Sequence, residues 1–153
     1  MDQIKALREH LLELLKGESA HISLEVAVTD FPVEHMHARV DGSLHTAWQL
    51  LEHIRIAQWD ILDFSTNSDY KEMKWPDDYW PKEEGTPKGW NESVQQTLSD
   101  LQSMRELVAD EETDLFAKIP HGTGQTILRE TLLIADHNAY HVGQIMLIKK
   151  SLQ

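Results

Sequence analysis

Apolar residues recur along the chain at intervals of three and four, which is the spacing of amphipathic helices. The first such stripe, in residues 2–16, consists of Ile4, Leu7, Leu11 and Leu14. Gly17 is expected to end this helix, since glycine readily adopts the left-handed conformation of a helix terminus. A second, shorter segment is predicted to begin with Ser19 as its cap and to stop at Pro32.

A longer stripe follows Thr46 and predicts a bundle helix. Its members, all on one helical face, are Ala47, Leu50, Ile54, Ala57, Ile61 and Phe64. Thr46 and Gln49, three residues apart, fit a capping box, so the helix is predicted to start there. Residues 32–45, which contain the turn-forming pair Asp41-Gly42, are predicted to be a connection.

Two further helices complete the pattern. The third long stripe, in residues 90–109, consists of Val94, Leu98, Leu101, Met104 and Val108. The last helix is predicted to begin at a cap on either Thr123 or Thr126 and to run to about Lys150. Four principal helices without strand-like alternation predict an all-α four-helix bundle, and the length predicts one domain over residues 1–153.

Positions seven apart on the last helix form columns along its surface. The column expected to face solvent is Arg129, Asp136, Gly143 and Lys150. The two columns expected to be buried are Leu133-Tyr140-Leu147 and Leu132-Ala139-Met146. His137 and His141 lie between these columns, where polar groups are costly unless they find partners or a metal.

The helical pattern is interrupted in residues 65–89, between the second and third bundle helices. This stretch is rich in proline, glycine and aromatic residues. Its length and composition predict a loop that packs as a lid over one end of the domain. Either its tryptophans line a binding pocket, with Trp80 at the mouth, or Trp75 and Trp80 fill a small satellite core.

Composition and charge exclude several classes of function. The chain has no cysteine, which removes disulfides, thiolate metal ligands and a cysteine nucleophile. Its formal net charge of −12 argues against a nucleic-acid partner, because phosphate binding needs a basic surface. It shows neither a leader-like N-terminus nor an apolar run of about 18 residues, so we expect no membrane association and a cytoplasmic location.

Histidines on two predicted helices have the arrangement of metal ligands. His137 and His141 are four residues apart, so both imidazoles project from one helical face. His53 lies at the margin of the apolar stripe of another helix, from which it can approach that pair in a bundle. Three neutral imidazoles leave a coordination position for water or substrate, as in catalytic metal sites. The alternative is that these are ordinary half-buried histidines.

Other polar residues are candidates for supporting roles. The catalytic candidates are Glu130, Tyr140 and Gln144, and the substrate-pocket candidates are His21 and Trp80. Each of these could instead make an ordinary cap or surface contact, which is also the interpretation we favour for Asp60.

Two other metal chemistries fit the sequence less well. His137 is not followed by the glutamate that zinc peptidases use as a general base. The pairs Glu18/His21 and Glu34/His37 have the spacing of di-iron bundles, but neither pair lies on a long core helix.

The segments 46–54 and 136–144 resemble the DinB/YfiT-like family of four-helix metalloproteins, and the resemblance extends over nearly the whole chain. It implies that His53, His137 and His141 bind a divalent metal, for which all-nitrogen ligation suits Zn, Ni, Fe or Mn. Characterised relatives include metal-dependent isomerases or hydrolases. They also include thiol S-transferases that use bacillithiol, mycothiol or glutathione. A low-molecular-weight thiol is therefore an implied cosubstrate.

Two functions of different classes are left open. The first is a metal-dependent transferase or hydrolase that acts on a small molecule. The second is a stress-associated module that binds a metal or small ligand without turnover and forms a homodimer. Both predict a small-molecule partner.

Overall fold

A computed structural model describes residues 2–153 of the chain. In that range it contains the helices α1 (Gln3–Lys16), α2 (Leu24–Thr29), α3 (Ala47–Thr66), α4 (Pro87–Ala109) and α5 (Ile127–Ser151), with a 3₁₀ turn at Val33–His35. The β pairing described in these residues is one isolated bridge, between Lys118 and Thr126. The prediction of an all-α fold is therefore confirmed.

The helix termini follow from local capping chemistry. Gly17 ends α1 in the left-handed conformation, with φ of 71°. At the start of α3, Thr46 and Gln49 form the predicted capping box, each side chain accepting the other residue's backbone N–H. Of the two candidate caps for α5, Thr126 accepts the hydrogen bond, from the N–H of Arg129.

The prediction for the second segment is wrong in its boundary. Ser23, not Ser19, caps α2, because its hydroxyl accepts the backbone N–H of Val26. Residues 18–22 therefore lie outside any helix, and His21 is part of the connection that precedes α2.

The fourth helix, α4, begins three residues earlier than predicted. Thr86 caps it, and Pro87 occupies its first position, where a missing N–H costs nothing. The connection between α3 and α4 is accordingly residues 67–86, which we call the lid loop.

Helix packing closes a four-helix arrangement. Both α1 and α3 pack against α4 and α5, while the short α2 docks on α5 and α4. One hydrophobic cluster joins α2, α3 and α5 around Leu51 and Ile145, and a second joins α1 to α4 and α5 around Leu11 and Met104. Each buried side chain of this size stabilises the fold by about 1.5–3 kcal/mol. Among the described residues, no helix combines the length and hydropathy needed to span a bilayer.

A buried chain of amides ties three helices together. The side-chain amide of Asn138 on α5 donates to Gln58 on α3 at 2.8 Å, and Gln58 donates to the carbonyl of Thr97 on α4 at 2.6 Å. All three residues are buried. Because unpaired buried amides are costly, this chain favours one relative placement of α3, α4 and α5.

The surface of α5 differs from the prediction on its apolar side. The predicted solvent-facing column is exposed, but the prediction of burial is wrong for Leu132, Tyr140 and Leu147, which are 45%, 66% and 67% exposed. Thr131, Asn138 and His141 face the core instead. They are tolerated there because each has a hydrogen-bond partner, which a hydrophobic pattern cannot reveal.

The lid loop is held against the start of α3. The indole N–H of Trp48 donates to the carbonyl of Glu83 at 3.0 Å. Gly85 lies directly on the same indole, so that a Cβ at this position would come to 2.6 Å from the ring atom Cε3. His37 donates to the carbonyl of Gly85 at 3.0 Å. The loop therefore packs on the bundle, which is compatible with the predicted lid.

We predict opposite effects for two glycine substitutions. Gly85→Ala should lower the free energy of unfolding by about 1–3 kcal/mol, because the added methyl group overlaps the Trp48 ring. Gly143→Ala, on the exposed face of α5 with no atom within 4 Å, should raise it by about 0.4–1 kcal/mol. Denaturant unfolding with a chelator present measures both. A neutral Gly85→Ala would show that the loop does not depend on this contact.

Candidate metal centre

Three imidazole rings from two helices meet in one place: His53 from α3, and His137 and His141 from α5. Each ring offers a nitrogen, and these three nitrogens lie within 4.8 Å of one another. The Nε2 atoms of His53 and His137 are 3.1 Å apart. Two imidazoles bound at about 2.0 Å to a tetrahedral ion would have their nitrogens about 3.3 Å apart. The cluster can therefore hold a metal ion.

Hydrogen bonds orient two of the rings. Nδ1 of His53 lies 2.8 Å from the carbonyl oxygen of Tyr79, which can only accept, so Nδ1 carries the proton. Nδ1 of His141 donates in the same way to the side-chain oxygen of Gln144 at 2.6 Å. In both neutral rings the lone pair is then on Nε2. These partners thus select the tautomer that presents Nε2 to a metal.

Burial keeps these rings neutral. His53 and His141 are only 3% and 6% exposed. Burial, aided by the proximity of His141 and His53, lowers the pKa of His137 to about 3. Burial also lowers the pKa of His53 and of His141, although the bonds to Tyr79 and Gln144 oppose this effect. Since only neutral imidazole binds a metal, the folded protein favours the metal-binding form.

Trp80 of the lid loop forms one wall of the centre. Its ring stacks on His53 with a centroid separation of 4.1 Å and an interplanar angle of 5°. On its other side it stacks on His45 at 4.0 Å and 20°. The indole is thus held between two imidazoles, one of which is a candidate ligand. Stacking of this kind contributes about 0.5–1.5 kcal/mol per pair beyond burial.

A second anchor of the lid loop determines where the Tyr79 carbonyl lies. Asp60, for which we favoured an ordinary cap or surface contact, is instead buried on α3. It accepts hydrogen bonds from the hydroxyls of Tyr79 at 2.6 Å and Tyr70 at 3.0 Å. Burial, followed by the bond to this carboxylate, raises the pKa of both tyrosines, so both stay protonated and donate. Asp60 therefore positions the residue whose backbone orients His53.

The three histidines lie in the wall of a cavity of about 760 Å³. The other side chains around it include Leu44, Trp75, Trp80, Tyr140 and Leu147. A cavity of this size is typical of small-molecule sites, which are concave, largely apolar and equipped with a few polar groups.

The structure separates the candidates for supporting roles. Gln144, Tyr140 and Trp80 line this cavity, with the Tyr140 ring centroid 5.0 Å from that of His141. Glu130 lies elsewhere. It precedes His137 by seven residues, about 10 Å along a helix, and pairs with Arg129 at 2.8 Å beside a separate cavity. His21 lines a third cavity, near the end of α1.

Two contributors to the centre have no signal in the sequence. His45 belongs to the connection before α3, and only the return of the lid loop brings Trp80 onto it. Tyr79 acts on His53 through its backbone carbonyl, a group that every residue carries. A sequence pattern can identify a donor side chain, whereas a carbonyl is selected by the path of the chain.

A matched pair of tyrosine variants tests this positioning. Tyr79→Phe and Tyr70→Phe each remove one hydrogen bond to Asp60, but only Tyr79 also holds His53. We predict that Tyr79→Phe weakens metal binding by roughly tenfold and that Tyr70→Phe has much less effect. Competition with a metal indicator measures both affinities. Equal losses would mean that the shared carboxylate, not the Tyr79 carbonyl, is what matters.

Acid should destabilise the metal-free fold through these rings. Unfolded histidine titrates near pH ~6.5, whereas burial lowers the pKa of all three in the folded chain. Below that pH the unfolded chain binds protons that the folded chain excludes, so the free energy of unfolding decreases as the pH is lowered. Between about pH 7.5 and pH 5 the parent should lose more free energy of unfolding than a variant with glutamine at all three positions.

His45, whose pKa is lowered by burial and then by Arg39, is present in both proteins, so its contribution cancels. Urea titrations in a chelating buffer measure the difference. Equal losses in parent and variant would assign the pH dependence to other groups.

Comparison with known proteins agrees with this geometry. The sequence model of the DinB superfamily matches residues 3–145, a range that includes all three clustered histidines and the whole lid loop. Searches among curated proteins and among solved structures gave no match. The match spans most of the chain, so the protein belongs to the DinB superfamily, as its resemblance to DinB/YfiT-like proteins implied.

Proposed function

We propose that this protein is a divalent-metal-dependent enzyme that acts on a small molecule, with His53, His137 and His141 as the ligands. Its reaction would be thiol S-transfer or a related transfer or hydrolysis. The observation that supports this most strongly is the position of the ligand nitrogens in the wall of a cavity of about 760 Å³. A purely structural metal site is normally closed by four protein ligands, whereas this one has three and an adjoining cavity.

The chain's own residues prepare the centre for such chemistry. Tyr79 and Gln144 hold two of the imidazoles with Nε2 available, and Trp80 shields His53 from water. When bound, a divalent ion supplies the charge that lowers the pKa of a thiol or water in the remaining position. Because the chain has no cysteine, any sulfur nucleophile must come from the substrate. Zn, Ni, Fe and Mn all suit three imidazoles.

Tyr140 is the catalytic candidate with access to substrate. It lines the cavity, and its side chain is exposed enough to approach a ligand above the histidines. Gln144 has a different role, since its side-chain oxygen is engaged with His141 and orients that ring. We therefore propose Tyr140 as a proton donor or acceptor and Gln144 as a positioning residue.

One observation favours a binding module without turnover as the second candidate. Glu130, the buried carboxylate among the catalytic candidates, is paired with Arg129 at a different cavity. Among the described residues that line the metal cavity, Asp41 is the one carboxylate, and it is exposed. Hydrolysis often depends on a carboxylate base, and none of the described lining residues is a buried carboxylate.

The ligand assignment predicts the metal content. Protein purified without metal-affinity resin should carry about one divalent ion per chain, as expected for a three-histidine site. His137→Ala should reduce this content to a small fraction, whereas His21→Ala, at another cavity, should retain it. Elemental analysis of each variant, with helicity checked by circular dichroism, is the measurement. Undiminished metal in folded His137→Ala would remove the site as proposed.

Turnover separates the two candidate functions. Metal-loaded protein would be incubated with a thiol and an electrophilic acceptor, and with hydrolysable esters and amides, and products followed by mass spectrometry. Product that forms with the parent and not with His137→Ala supports the enzyme. Metal binding without product in any of these mixtures supports the binding module.

A further inference from the structure

We infer that the ligand of the metal cavity has a single metal-binding head, such as a thiol, on an uncharged aromatic or aliphatic body. Thiols whose body carries carboxylates should be poor ligands. The inference rests on the proposed function, because the head is assigned to the metal. Of the thiols that the family resemblance implies, it disfavours bacillithiol and glutathione, whose bodies carry carboxylates.

Aromatic rings make up much of the cavity wall. Trp75, which is 67% exposed, lies with its centroid 6.3 Å from that of His53, and Trp80 stacks on the same imidazole. Tyr140 of α5 lines the same cavity. Packing of an aromatic or aliphatic ligand body against these exposed rings would bury apolar surface and stabilise the complex.

Aliphatic side chains extend this wall toward solvent. Leu44 is 86% exposed and Leu147 is 67% exposed, and both line the cavity. Isolated exposed leucines are common on protein surfaces and need no explanation. Here they adjoin exposed rings at one cavity, and an apolar patch of this kind is typical of a ligand-binding groove.

Among the residues that the structure describes, none with a cationic side chain lines the cavity. Of the described residues that line it, Asp41 alone carries a formal charge. Arg39, near enough to His45 to lower the pKa of that imidazole, lines a different cavity together with Glu84. Lys149 and Lys150, although they precede the lining residue Ser151, are not part of the wall.

The two serine hydroxyls in the wall are engaged with backbone carbonyls, so the Tyr140 hydroxyl is the neutral O–H donor that the wall offers. Ser43 donates to the carbonyl of His45 at 2.6 Å, and Ser151 donates to the carbonyl of Leu147 at 2.9 Å. Neither proton is free for a carboxylate. A second anionic group would therefore find no cationic side chain in the wall, and the chain's net charge of −12 disfavours its approach.

Two ligands that differ by one carboxylate test this inference. Protein loaded with Co²⁺ would be titrated with benzyl mercaptan and with 4-(mercaptomethyl)benzoate, and binding followed by the visible absorption of the metal. We expect benzyl mercaptan to bind at least roughly tenfold more tightly, because its body leaves no charge unpaired. Equal or tighter binding of the carboxylate would overturn the inference.

A lysine introduced at the cavity should reverse the preference. Leu147→Lys places a cation in the wall, while the matched control Leu132→Lys adds the same charge to an exposed position of α5 that does not line the cavity. Only Leu147→Lys should tighten binding of the carboxylate relative to benzyl mercaptan. The same relative change in both variants would mean that net charge, not the cavity wall, sets the preference.

A metal-free measurement tests the preference for an uncharged body separately from metal binding. Benzyl alcohol and 4-(hydroxymethyl)benzoate would be added to the metal-free protein while the indole N–H resonance of Trp80, assigned with Trp80→Phe, is followed. The uncharged alcohol should shift this resonance at lower concentration.

The Co²⁺ titration separates the inference from the metal site. If Co²⁺ is bound but neither thiol changes the visible spectrum of the metal, the inference fails and the metal site stands. If Co²⁺ is not bound, both fail.

Discussion

The hydrogen bond between Nδ1 of His53 and the carbonyl of Tyr79 is the contact on which the rest of the centre depends. It directs Nε2 of that ring toward His137 and connects a core helix to the lid loop. The carbonyl stays in place because Asp60 holds the Tyr79 hydroxyl, and the ring stays in plane because Trp80 stacks on it. Helix α3 thus supplies His53, a candidate ligand, and also Asp60, the carboxylate that positions the hydrogen-bond partner of His53.

Burial explains why three neutral histidines can cluster at this site. Removing imidazoles from water penalises their charged forms, which lowers the pKa of each and leaves lone pairs available. The same burial would be costly if the rings had no partners. Hydrogen bonds to Tyr79 and Gln144 satisfy Nδ1 of His53 and of His141, and a shared metal ion would satisfy their Nε2 atoms.

Membership of the DinB superfamily establishes the fold but not the reaction, because one fold supports many chemistries. The cavity carries more information about the ligand. Its wall combines the candidate metal ligands with exposed aromatic and aliphatic side chains, whereas cationic residues such as Arg39 line a different cavity. The exposed side of α5, with Tyr140 and Leu147, therefore forms a border of this cavity.

The sequence by itself determined the features that depend on near neighbours: the capping box at Thr46, the helical stripes, and the spacing that puts His137 and His141 on one face. Only the tertiary structure decided which surfaces meet. Glu130 lies on the same helix as His137 and His141 but lines a different cavity. His21, in the connection before α2, lines a third cavity. Tyr79 and His45 join the centre through the return of a long loop. Helix periodicity and capping operate within a few residues, whereas the path of a loop is set by contacts distant in sequence, and a backbone carbonyl has no residue type to mark it.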